Sequence, residues 1–365
     1  MDDAGTLIAS SANRMFEDLF TEEAARAARR GACDSSAWNA LEEAGLPLAL
    51  LPEKYGGFGL SPVDALNLVR LSAYHGAPVP LGETMLANWM QALADLEVSS
   101  GPATFALLPD NAVIGDRNEG CYVSAVIERV PWARHARTLV LVDHMRVLKI
   151  EAGSAKMTAG NAANGFPRDQ VQIEAVVPTR HVAPCPASLR DGSVELAGAL
   201  LRSLEMAGAL QRVLELTVQY STERVQFGRP IGKFQAIQQD LAVQAGEATA
   251  AAAAARLAAE SFGSPGAPAA IASAKARIGE AAGIGAAIAH QVHGAMGYTK
   301  EHRLHLYTEA LWTWRDEFRG EQFWQQRLGA MALAGGADGF WPFVTKVGAT
   351  LHAGDCAVPF GSDGS

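Results

Sequence analysis

Between Tyr220 and Gln235 the sequence reads YSTERVQFGRPIGKFQ, a charged helix end that breaks at Arg224-Val225-Gln226-Phe227-Gly228 and restarts beyond Pro230 and Gly232. Those three small or rigid residues interrupt two long apolar-periodic segments, so the chain must turn here. Arg224 at the turn is a planar, permanently charged fork suited to a pyrophosphate or a carboxylate. At a helix C-terminus the same residue can also complement the macrodipole or pair with Glu223. A second small-residue segment, Gln291-Val292-His293-Gly294-Ala295-Met296-Gly297, reads on its own as a helix C-cap. Around it His290 and His293, and His302 and His305, are each three apart, a spacing at which two imidazoles share a helix face and could hold a metal. No Glu-x-x-His pair accompanies them in phase, and the expectation is that no metal is bound.

The elements that must position these residues follow from periodicity. The first hundred residues carry apolar positions at helical spacing over 8–20, 37–44, 62–75 and 84–96. Paired glycines beside aromatics at Tyr55-Gly56-Gly57-Phe58-Gly59 mark a turn of close backbone approach. From about Gly101 the pattern changes to short β-rich runs, among them 104–108, 121–130, 138–142, 146–150 and 170–177, punctuated by glycine, asparagine and proline. From Gly192 it is helical again, with long segments near 193–224, 234–262, 266–296 and 301–334 joined by short loops, the pattern of an antiparallel four-helix bundle. The expected fold is α+β and mainly α: an N-terminal helical domain (1–100), a small antiparallel β domain (101–190), a C-terminal four-helix bundle (191–335) and a loose tail (336–365).

This order of domains and the two bundle segments resemble the FAD-dependent acyl-CoA dehydrogenase family. The likeness extends to Trp38-x-x-Leu41, Gly45-Leu46, Pro52-Glu53-x-Tyr55-Gly56-Gly57 and Ala77-Pro78-Val79-Pro80-Leu81, covering most of 30–325. It implies that Arg224 contacts the FAD pyrophosphate, with Gln226 and Phe227 also against the cofactor. It further implies that Gln291, Gly294 and Ala295 reach FAD held mainly by an adjacent subunit, with Ala295 standing where paired glycines are frequent. An oligomer is therefore implied, homo- or heteromeric, as a dimer of dimers. In the β domain the family's polar run corresponds here to Ala106-Leu107-Leu108-Pro109-Asp110-Asn111-Ala112, which lacks most of the polar contacts. Trp132 stands where the family sets a Trp against the isoalloxazine edge, or else is a core residue of the sheet.

The implied chemistry is α,β-dehydrogenation of an acyl-CoA thioester in fatty-acid or sterol side-chain breakdown, with electrons passed to an electron-transfer flavoprotein. A carboxylate removes the α-proton as the β-hydrogen leaves as hydride. The family places that base at one of two positions. Counting without gaps puts the first at Phe318, one residue beyond Glu317, and the second at Gly198, with Glu205 two helical turns further on the same face. Three readings stand: Glu317 is the base, Glu205 is the base, or this chain carries none and completes the fold and flavin site of an active paralogue. A flavoenzyme of the same fold acting on oxygen and a non-CoA substrate is a further alternative.

Composition bounds these readings. The 365-residue chain is 49% hydrophobic and 19% charged, enough to bury several cores and solvate the surface. Its net charge of -9 argues against a general nucleic-acid partner. Cys33, Cys121, Cys185 and Cys356 show neither C-x-x-C nor metal spacing, which suits a reducing compartment. An acidic N-terminus without a long apolar run reads as neither signal peptide nor membrane span, so a cytoplasmic location is expected.

Overall fold

The computed structural model describes residues 3–29, 34–190 and 192–349. Five helices come first: α1 (Asp3–Leu19), α2 (Glu22–Arg29), α3 (Ser35–Glu43), α4 (Pro62–Tyr74) and α5 (Leu81–Leu93). Their starts are coded locally. Asp34 caps α3 by accepting from the Ser36 and Ala37 amides, and Ser61 caps α4 with Pro62 in the first turn. Helix α2 was not anticipated; its Ala-rich stretch carries only small apolar residues, Ala25 and Ala28, on its buried side.

Eight strands form the middle domain: β1 (Ala103–Leu107), β2 (Val113–Arg117), β3 (Gly120–Pro131), β4 (Thr138–Val142), β5 (Arg146–Glu151), β6 (Lys156–Thr158), β7 (Arg168–Pro178) and β8 (Val182–Pro184). They make two four-stranded sheets, ordered β1-β4-β5-β8 and β2-β3-β7-β6, antiparallel except for the parallel β1–β4 pair. All five residues of β4 are buried because the sheet is covered on both faces. Leu139 and Leu141 enter the core between the sheets, while Val140 and Val142 join the helical core. The first sheet is thereby clamped between the second sheet and the helices, which fixes the end of β1 against the bundle.

The bundle comprises α6 (Ser193–Glu223), a short hairpin of β9 (Val225–Gln226) and β10 (Arg229–Pro230), then α7 (Gln235–Glu260), α8 (Ala267–His293), α9 (Leu304–Asp316) and α10 (Glu321–Leu333). Helix α6 is buried on nearly all sides from Val194 to Leu210, as a central helix packed by α4, α7, α8 and α9 must be. In α7 the buried Ala248, Ala251, Ala255 and Ala258 recur at three- and four-residue spacing, small enough for close helix approach.

Two expectations change. The segment 301–334 is two helices, because α9 ends at Asp316 and Phe318 and Arg319 take positive φ angles of 50° and 71°. Buried Lys275 closes that end by donating to the Trp314 and Arg315 carbonyls at 3.0 and 2.6 Å. In the expected tail, 336–349 forms a further helix, α11 (Gly336–Ala349), which packs on α10; residues beyond 349 and Cys33 and Cys356 lie outside the described residues.

Candidate functional site

A cleft of about 600 Å³ opens between the β domain and the bundle. One wall is the end of β1, with Phe105, Ala106 and Leu107; the other is the last turn of α9 and the residues that follow it. A β-bulge in β3 between Ile127 and Val130 supplies the third side, turning Glu128 and Arg129 outward, with Arg129 at φ 56°. Trp132 does not line the cleft: it is 4% exposed and packs on Phe166 with ring centroids 5.1 Å apart. The β3 residues nearer the bulge face the cleft instead.

The floor of the cleft is set by the break after α9. Glu317 leaves the helix with ψ 148° and turns inward. Its Oε1 accepts from Arg168 Nε at 2.5 Å, and its Oε2 accepts from Arg168 Nη2 at 2.9 Å and Arg202 Nε at 2.7 Å. Fully buried Arg202 also donates to Glu205 at 2.5 Å and Glu83 at 2.9 Å, so one guanidinium serves three carboxylates. Burial alone would raise Glu317, but the adjacent Arg168 and Arg202 charges outweigh it and bring the carboxyl down to about 2. Glu205 goes the other way, to about 7, because burial and the Glu83 charge outweigh its share of Arg202. Lys275 is lowered to about 7 by burial and by Arg202.

Phe318, next along the chain, lies where the gapless count puts a base. Its ring packs on Gly198, the other counted position: a Cβ there would come within 2.2 Å of the ring. Phe105 stacks on the same ring at 5.9 Å. The two positions therefore meet and fill one another with apolar surface. Glu205 lies on the far side of Arg202 from Glu317 in the ion network and lines no part of the cleft.

A second cavity of about 450 Å³ adjoins the first across Trp312, which lines both. Gln291 and Gly294 at the end of α8 form its rim. Gly294 sits at φ 57°, ψ −140°, open only to glycine, and an added Cβ there would meet no atom within 4 Å, so bare backbone faces open space. Ala295 beside it is exposed. His290 is stacked between Tyr298 and Trp312, with centroids at 4.3 and 5.6 Å; its Nε2 bonds Thr308, and its buried Nδ1 has no partner. The other histidines are also used locally: His293 Nδ1 donates to the Ala289 carbonyl, and burial takes this ring down to about 4. Among the described residues no group of three His, Cys, Asp or Glu could hold a metal.

The turn after α6 is a hairpin whose two central residues, Phe227 and Gly228, both have positive φ, as a type I′ turn requires. Phe227 is 92% exposed, a large aromatic in a backbone region that disfavours it, with an edge contact to Phe234. The Arg224 side chain has no partner among the described residues, and Gln226 is exposed. Arg224, Gln226 and Phe227 line neither cavity.

Against the demands of FAD these pieces fit unequally. The bare Gly294 backbone and the Gln291 amide suit a polar, phosphate-linked ligand running across Trp312. The β1 wall, where Ala106 and Leu107 stand, offers no side-chain donor. Sequence reasoning passed over Arg168, Arg202, Glu83 and Lys275. The one signal for Arg202 was a charge inside an apolar run with Glu205 three residues on.

The acyl-CoA dehydrogenase N-terminal domain model matches residues 3–95 and the acyl-CoA dehydrogenase C-terminal domain model matches 197–314. Acyl-CoA dehydrogenase IpdE2 of Mycobacterium tuberculosis is 32% identical over 298 residues, 78% of this chain and 82% of that protein. The ChsE4–ChsE5 complex from Mycobacterium tuberculosis superposes with a TM-score of 0.82 at 22% identity, covering 92% of this chain and 98% of the other. A variant of the Tcur3481–Tcur3483 steroid ACAD gives 0.80 at 23% identity, covering 92% and 99%. No described helix is long and apolar enough to cross a membrane.

Proposed function

Because this chain belongs to the acyl-CoA dehydrogenase family, whose members are FAD-dependent oxidoreductases, we propose that it works as the base-free subunit of a heteromeric acyl-CoA dehydrogenase. The reaction of the assembly is α,β-dehydrogenation of an acyl-CoA thioester to the trans-2-enoyl-CoA. When bound, FAD supplies the two-electron acceptor. A partner chain of the same fold supplies the carboxylate that takes the α-proton. This chain contributes Arg224, Gln226 and Phe227 to a flavin shared across the interface, and Gln291, Gly294 and Ala295 from the end of α8. The assembly is a dimer of dimers, re-oxidised by an electron-transfer flavoprotein.

One observation carries the reading: Phe318 and Gly198, the two positions counted for a base, are packed against each other. Glu317 is an unsuitable substitute, since a carboxylate held by two guanidiniums and lowered to about 2 is a poor proton acceptor at neutral pH. Glu205 has a more suitable affinity but is separated from the cleft by Arg202. The exposed Phe227 supports an interface role for the hairpin. The heteromeric ChsE4–ChsE5 complex and the steroid ACAD among the structural neighbours favour a bulky substrate from sterol side-chain breakdown.

The test is the visible spectrum and acyl-CoA-dependent dye reduction of the purified chain, alone and with a base-bearing partner. The expected result is no thioester-dependent reduction by the chain alone and turnover in the complex. Turnover by the chain alone, abolished by Glu317→Gln or Glu205→Gln, would sink the proposal.

A further inference from the structure

A cavity of about 350 Å³ lies among α1, α2, α4, α6 and the start of α9. Three guanidiniums reach it from three elements: Arg70 on α4, Arg212 on α6 and Arg303 just before α9. Only Arg212 has a carboxylate partner, Glu215 at 3.0 Å, which also accepts from the Tyr74 hydroxyl at 2.5 Å. Arg70 donates to two neutral amides, Asn67 at 2.9 Å and Gln211 at 2.8 Å. The Arg303 side chain has no hydrogen bond or ion pair with any described residue. Desolvation lowers partly buried Arg70 below the usual arginine value.

Behind this polar chamber is a recess of about 40 Å³ sharing Phe20, Thr21, Glu22, His75, Arg303 and Tyr307 as common wall, closed by apolar groups that include Ala73, Ala310 and Trp314. The chamber therefore sets Arg303, beside Glu22, at the mouth of an apolar pocket.

We propose that this cavity binds a monoanionic carboxylate carrying a short apolar body, with the carboxylate between Arg70 and Arg303 and its first methylenes in the recess. Glu17 and Glu22 line the chamber and Glu215 is paired with its Arg212, so three carboxylates stand against three guanidiniums and no excess positive charge is left to hold a dianion. Glu215 is engaged by Arg212 and Tyr74, and Glu22 by Arg26 at 3.0 Å, but their charges remain and repel a dianionic phosphate more strongly than a carboxylate. Planar guanidiniums from two separate elements suit the two oxygens of a carboxylate. His75, lowered by burial and bonded through Nε2 to Asn13 at 2.9 Å, adds a neutral polar edge. The site shares no lining residue with the cleft, so it stands or falls independently of the flavin reading.

The experiment is calorimetric titration of the full chain with hexanoate, acetate and inorganic phosphate, repeated on Arg303→Met and Arg70→Met. Arg303→Met removes no intramolecular bond and so leaves the fold intact. Saturable hexanoate binding at one site per chain is expected, weakened about tenfold or more in each variant. Acetate should bind about tenfold more weakly than hexanoate, for two methylenes seated. Absence of saturable hexanoate binding, binding unchanged in Arg303→Met, or phosphate binding as tightly as hexanoate would each overturn the proposal.

Discussion

Glu205→Gln isolates the least satisfied member of the ion network. In the folded protein this carboxyl is raised from 4.5 to about 7, burial first and then the Glu83 charge. A folded-state value above the unfolded one means that stability is fully present below pH 4.5 and is lost as pH rises through 7. The whole interval corresponds to about 3 kcal/mol, of which about 1 has been lost by about pH 5.5 and the rest by about pH 8. Glutamine keeps the shape and one acceptor for Arg202 but cannot ionise. Urea denaturation of both proteins at these two pH values should therefore show the variant gaining about 2 kcal/mol on the parent between them. Lys275, lowered to about 7, titrates in the same region but in both proteins, so it drops out of the difference. A variant destabilised by the same amount at both pH values would refute the assignment, because Glu205 would then be ionised throughout and held by Arg202.

Glu317→Gln carries the opposite sign. Its folded value of about 2 lies below 4.5, so its contribution of about 3 kcal/mol is present above pH 4.5 and is lost as pH falls toward 2; the parent-minus-variant gap in denaturant should close over that window, and a gap independent of pH would contradict the double pairing with Arg168 and Arg202. Gly198→Ala drives a Cβ into the Phe318 ring and should cost about 1–3 kcal/mol in thermal unfolding, recovered in part by adding Phe318→Leu; full tolerance of alanine would mean that the ring does not rest there. Phe227→Gly relieves a positive φ on an exposed side chain, so the isolated chain should be unchanged or stabilised by about 1 kcal/mol while flavin retention in the complex falls; retention equal to the parent's would remove the hairpin from the cofactor site.

The parts of this fold that were legible from residues alone are those written in short-range periodicity. The strands over 121–130, 138–142 and 170–177 and the long helices α6 to α8 fall close to where alternation and helical spacing put them. The break at Glu317 was not legible, because nothing between Leu304 and Leu333 marks it: there is no proline, and the glycine at 320 follows the two residues with positive φ instead of supplying one. What ends α9 is long-range. Lys275 of α8 takes its last carbonyls, Arg168 of β7 and Arg202 of α6 pull Glu317 inward, and Trp324 Nε1 of α10 donates to the Phe318 carbonyl at 3.0 Å. Four contacts from four elements fix one turn, and no window of sequence contains them. The same limit applies to the candidate base. A gapless count finds the right neighbourhood, since Phe318 and Gly198 do meet, but a one-residue offset decides whether the carboxylate at the cleft floor is tied up by two arginines. That decision rests on Gly198: any side chain there would displace the Phe318 ring and with it the turn that sends Glu317 to Arg168 and Arg202. The glycine and the phenylalanine are one structural unit: a carboxylate at 198 would require a smaller residue than phenylalanine at 318.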